Sequence, residues 1–108
     1  MKAPIIANNH GDLLLFKTVE RAREYLEPLD VLNDEYVLYD SEGRLLRAVA
    51  KSDRGPIEIL EAESSPMHKE ILQHDIVHFL QRVGEPRSAL EGCSLDERVL
   101  IAIRYPTG

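Results

Sequence analysis

Cys93 is the one cysteine in 108 residues, so no disulfide can close within the chain, and a lone thiol fits a reducing compartment better than a secreted scaffold. The chain also lacks long apolar runs. None approaches the roughly 18 residues of a membrane span. The opening run from Ala3 to Ala7 stops at Asn8 and Asn9, short of a signal-peptide core of about 7–15 residues. These absences predict a cytoplasmic protein. Glycines never gather into a phosphate-cradling loop: Gly11, Gly43, Gly55, Gly84 and Gly92 each stand alone, where a turn or a helix end explains them. Basic residues are outnumbered, thirteen against nineteen acidic, for a net charge of -6. They are dispersed along the chain, which weighs against nucleic acid and anionic membranes as partners and favours a basic protein.

What is present is ordinary globular material. A hydrophobic fraction of 44% with 30% charged residues lies far from the composition of disordered chains. A chain of this length buries roughly two-thirds of its unfolded surface, so one domain spanning 1–108 is expected, and no cofactor is needed for it to fold.

Local patterns predict an α+β fold, with a mainly antiparallel sheet packed against a long helix. Two apolar runs, Pro4 to Ala7 and Leu13 to Phe16, flank Asn8-Asn9-His10-Gly11-Asp12 and read as a hairpin. Thr18 is placed as the N-cap of a short helix carrying Val19, Ala22 and Leu26 on one stripe, with Pro28 as its stop. Period-two alternation from Tyr36 to Asp40, a turn at Ser41-Glu42-Gly43, then Leu45 to Val49 and Ile57 to Leu60 give a three-strand meander. Pro66, after Ser64 and Ser65, predicts a helix from Met67 to Val83. Its apolar residues Leu72, Ile76, Phe79, Leu80 and Val83 would cover the sheet, and Glu70, His74, His78 and Gln81 would face away. Gly84 and Pro86 end it. Ser94 with Glu97 is a capping-box match that opens a C-terminal helix, although Val99 to Tyr105 also suits a strand.

Two patterns suggest chemistry. In His74-Asp75-Ile76-Val77-His78 the imidazoles fall four residues apart on a helix, the spacing of a zinc-peptidase motif with Asp75 as candidate base. A metal-dependent hydrolase is therefore the alternative function. A catalytic zinc needs a third ligand, and none follows at a recognisable spacing, so no metal site is assigned. Cys93 lacks any identifiable activating base.

The strongest local signal is charge. Glu24, Glu27, Asp30, Asp34, Glu35, Asp40 and Glu42 lie in a stretch with no Lys or Arg, interleaved with Tyr25, Tyr36 and Tyr39. Such a segment either keeps a solvated face soluble or forms a protein-binding patch, since tyrosine is enriched at interface hot spots. The candidate partner-binding residues are Glu27, Asp30, Asp34, Glu35, Tyr36, Asp40 and Glu42. The residues Phe16, Tyr25-Leu26-Glu27-Pro28, Asp30-Val31, Glu35-Tyr36, and Tyr39-Asp40 through Gly43-Arg44-Leu45-Leu46 together resemble bacterial immunity proteins of polymorphic toxin systems, over about the first half of the chain. The resemblance implies a noncatalytic cytoplasmic inhibitor that occludes a cognate toxin domain. A basic toxin, such as a nuclease, would suit the acidic segment. A generic regulatory or assembly subunit is the remaining alternative.

Overall fold

The computed structural model describes residues 1–85 and 92–105. Its elements are β1 (Ile5–Asn9), β2 (Asp12–Phe16), α1 (Val19–Tyr25), α2 (Pro28–Leu32), β3 (Val37–Tyr39), β4 (Leu45–Ala50), β5 (Ile57–Glu61), α3 (Lys69–Arg82) and α4 (Leu95–Ala102). The strands make one antiparallel sheet in the order β2-β1-β3-β4-β5, the expected α+β architecture. Only His10 and Gly11 join β1 to β2. Their φ values of 52 and 99 are the left-handed pair that a two-residue type I′ turn requires. Pairing of Ile6 with Tyr39 and Ala7 with Leu38 then joins this hairpin to the meander.

Helices cover both faces of the sheet. On one side Ile5, Ala7, Phe16, Leu38, Leu46, Ile57 and Ile59 pack with Ala22 and Leu26 of the α1 segment and Val31 of α2. On the other, Ile6, Leu13, Leu15 and Tyr39 pack with Leu72, Ile76 and Leu80 of α3 and with Val99 and Ala102 of α4. The sequence pointed to the second layer alone. The reason for the first is visible in β1, whose Ile5, Ile6 and Ala7 are all fully buried. A strand flanked on both sides and covered on both faces is apolar without alternation.

Several expectations are corrected. Pro28 does more than stop α1: it occupies the first turn of α2, where its missing N–H costs nothing. The long helix begins at Lys69, two residues later than expected. Before that point the Met67 N–H goes to the Glu63 carboxylate at 2.7 Å and the His68 N–H to the Gly43 carbonyl at 2.9 Å. At the other end, Gly84 has φ 95, and the Glu85 N–H bonds the Leu80 carbonyl while the Gly84 N–H bonds that of Gln81. This Schellman closure turns the chain early enough that Val83 is 40% exposed, not buried. Pro86 lies outside the described residues. The expected C-terminal helix is present and runs through Val99 to Ala102, so the strand alternative falls, and the Ser94–Glu97 capping box is formed in both directions.

The loop joining β3 to β4 is built on one carboxylate. Asp40 is fully buried. One of its oxygens accepts from the backbone N–H groups of Glu42 at 2.9 Å and Arg44 at 3.0 Å, the other from Arg44 Nη1 at 2.8 Å and the Lys2 N–H at 3.1 Å. Ser41 then ties the same loop to the N-terminal segment, donating its N–H to Lys2 and its hydroxyl to Ala3. Gly43 has φ 87, and a Cβ there would lie 2.6 Å from Lys69 Cα, so the start of α3 sits directly on the turn. Asp40→Ala should lower the unfolding free energy by about 3 kcal/mol, because it strands several buried donors. Urea denaturation measures this, and Gly43→Ala should also destabilise, whereas an unchanged midpoint for both would show that the loop does not organise the fold.

Candidate functional site

The acidic stretch folds into two places. Glu27, Asp30, Asp34, Glu35 and Tyr36 gather around α2. Asp40 is withdrawn into the loop just described and cannot present its carboxylate to a partner, which corrects its place in the candidate set. Glu42 lies at the far end of β3, where its carboxylate is 3.6 Å from Arg44 Nη1. Arg44 is also 3.6 Å from Glu61, which accepts the amino group of Met1 at 2.6 Å. Desolvation works against the Arg44 charge, but Asp40, Glu61 and Glu42 outweigh it and raise its pKa. Glu42 therefore belongs to a structural ion cluster, not to the α2 surface.

Around α2 the chain presents apolar and acidic groups together. Val31 packs into the core, and the opposite side exposes Leu29 at 53% and Leu32 at 46%, three residues apart on one helical face. Tyr25, 46% exposed, meets Phe16 in a tilted ring contact with centroids 5.4 Å apart. Glu24, Glu27 and Asp34 are exposed. Asp30 accepts from the Tyr36 hydroxyl at 3.2 Å, and Glu35 meets His10 Nε2 at 2.6 Å. The exposed leucines were missed in the sequence, because five residues are too few to show a helical period and Pro28 read as a stop.

Asp34 holds an unusual backbone. Its φ is 54, its N–H bonds the Val31 carbonyl, and the next N–H, of Glu35, bonds that of Asp30. This is again a Schellman closure, with aspartate where glycine is the usual residue. A non-glycine residue in the left-handed region costs roughly 1 kcal/mol.

The histidine pair is real as geometry. The rings of His74 and His78 lie 5.4 Å apart on the exposed side of α3, as the spacing predicts. Asp75 turns inward from them, accepting from the Asn8 amide at 3.1 Å, with His74 Nδ1 at 3.8 Å. The other histidines are engaged elsewhere, His10 with Glu35 and His68 with Glu63 at 2.9 Å. Among the described residues no group of three or more His, Cys, Asp or Glu side chains could hold a metal ion. Cys93 is half-buried. A cleft of about 710 Å³ beside β2 and α1, lined by Lys17, Arg21, Glu24, Tyr25 and Arg104 among others, has no histidine, cysteine or serine among its described residues. No helix is long and apolar enough to cross a membrane among the described residues.

Protein purified without added metal should contain no stoichiometric zinc by elemental analysis; a metal lost on replacing His74 and His78 by Ala would instead support a metal centre. Tyr36 gives a pH signature. Burial, reinforced by the Asp30 charge and hydrogen bond, pushes its phenol from 10.0 up to about 12. The folded state thus holds a proton that the unfolded chain releases earlier, so the stability from this group is complete below pH 10.0 and lost as pH rises toward about 12. Tyr36→Phe should flatten the alkaline decline in stability, and an unchanged decline would contradict the Asp30–Tyr36 contact.

Comparison with known proteins found no family model, no curated protein and no solved structure that matches this chain.

Proposed function

We propose that the chain is a noncatalytic protein-binding domain that neutralises a basic partner through the surface around α2. The observation that carries this reading is the pairing of two exposed leucines with carboxylates that have no lysine or arginine in their segment. An apolar centre ringed by charge is how interfaces divide their work: the buried centre supplies affinity, and the charged rim steers encounter and rejects wrong partners. Asp34 adds to this. It keeps a carboxylate at a backbone position that glycine would fill with less strain, and strain retained at the surface suits a role outside folding.

The resemblance of the stretch from Phe16 to Leu46 to immunity proteins supports a specific version: a bacterial cytoplasmic inhibitor, one per toxin domain, that covers the toxin's working surface. Its acids would mimic the phosphates that a basic nuclease expects. Immunity genes must travel with their toxins, so the adjacent reading frame supplies the partner to test.

Protection of growth against that toxin should require this surface. Asp34→Asn with Glu35→Gln preserves shape and removes charge, and should slow association by roughly tenfold or more at low salt. Leu29→Asp should weaken the complex chiefly through faster dissociation. Glu70→Gln, on the exposed side of α3, serves as the control. Protection lost with the control and kept with the Asp34/Glu35 variant would move the site away from α2.

A further inference from the structure

The second layer of helices is incomplete. α3 and α4 pack against β2, β1, Tyr39 and the Leu45 end of β4, and beyond Leu45 the same face of β4 and β5 stays exposed at Arg47, Val49, Glu58 and Leu60. Leu46, Ala48, Ile57 and Ile59 point into the opposite core, so alternation turns Arg47, Val49, Glu58 and Leu60 outward. Val49 is 37% and Leu60 44% exposed, and Val37 on the adjoining strand is 46% exposed. The register sets Arg47 beside Leu60 and Val49 beside Glu58. The four therefore form a chequered patch, with the apolar pair on one diagonal and opposite charges on the other.

That arrangement is self-complementary in one orientation. Rotate a second copy by a two-fold axis lying in the sheet face along the Val49–Leu60 diagonal. Each apolar residue then meets its own counterpart, Arg47 meets the second copy's glutamate, and Glu58 meets its arginine. The two other simple orientations, with the axis along or across the strands, set each charge against an apolar residue. Strands spaced about 4.8 Å apart, with same-face residues about 6.8 Å apart along each, place the two sheets at roughly 70°, close to the orthogonal class of sheet packing. The charges are available for this. Arg47 makes no ion pair with a described residue, and Glu58 has only a long contact of 3.5 Å to Arg23, its side chain remaining 62% exposed.

We propose that this half-covered face is a homodimer interface, isologous about the Val49–Leu60 diagonal and fixed by two reciprocal Arg47–Glu58 pairs. α2 packs on the opposite face of the sheet; the two surfaces meet at Arg47, which lines a small cleft with Asp34 and Tyr36, and the dimer does not depend on the function proposed for α2. It buries few residues against a net charge of -6 on each copy, so the dimer forms at high protein concentration.

Sedimentation velocity over a concentration series, in the full chain, tests it. The wild type should shift from monomer to dimer, and Leu60→Asp should abolish the shift. Arg47→Glu and Glu58→Arg should each weaken the dimer by about tenfold or more, because like charges then face each other twice. Mixing those two variants should restore a heterodimer, since both cross-pairs become complementary again. Unfolding midpoints confirm that each variant is folded. A wild type that stays monomeric at its highest soluble concentration, a dimer indifferent to Leu60→Asp, or a mixture that fails to recover would overturn the proposal, the first leaving the face to another protein's helix.

Discussion

One buried carboxylate organises this fold. Asp40 gathers donors from two parts of the chain: the N-terminal segment through Lys2, and its own turn through the backbone of Glu42 and Arg44 and through the Arg44 guanidinium, which also reaches the Ser64 carbonyl at 3.4 Å. A buried charge is tolerated only when its lone pairs are occupied. Filling them fixes the β3–β4 turn, brings β1 alongside β3, and positions Gly43 so that its carbonyl caps the approach to α3. The three-residue strand β3 is too short to hold its place by ladder bonds alone, so the network at its end substitutes for length.

Local signals were legible in the sequence, and long-range ones were not. The Thr18 cap, the hairpin turning within Asn8 to Asp12 and the Ser94–Glu97 box depend on neighbours within a few residues, and each stands as read, the turn itself narrowing to His10 and Gly11. The start of α3 is shaped by Gly43, remote in sequence, whose carbonyl takes the His68 N–H, so the pattern at Ser64-Ser65-Pro66 misplaced it. The double coverage of the sheet is written in Ile5, Ile6 and Ala7, but an apolar run of that length also reads as half of a simple hairpin. Asp40 shows the limit most clearly. Its sign is plain in the sequence, while its burial depends on Arg44 and Lys2 arriving from either side.

The same distinction applies to the candidate site. A stretch free of lysine and arginine identifies α2 and its flanks as acidic before any coordinates exist. Which acids share a surface follows only from the chain's path: Glu27, Asp34 and Glu35 stay together, and Asp40 and Glu42 leave for the ion cluster. The leucines that give the surface an apolar centre emerge because α2 is a single short turn with Val31 as its buried anchor. Stability and the proposed recognition are thus divided between two groups of acids, one inside the fold and one on its rim.

Asp34 joins those two roles in a single residue, and the reading of α2 as a partner surface turns on it. Asp34→Gly relieves the left-handed backbone while deleting the carboxylate, so stability and binding should move in opposite directions. The unfolding free energy should rise by up to about 1 kcal/mol while, under the proposed function, the association rate with the basic partner falls. A variant that is more stable and binds at the wild-type rate would contradict the account, because the strained aspartate would then serve neither folding nor recognition.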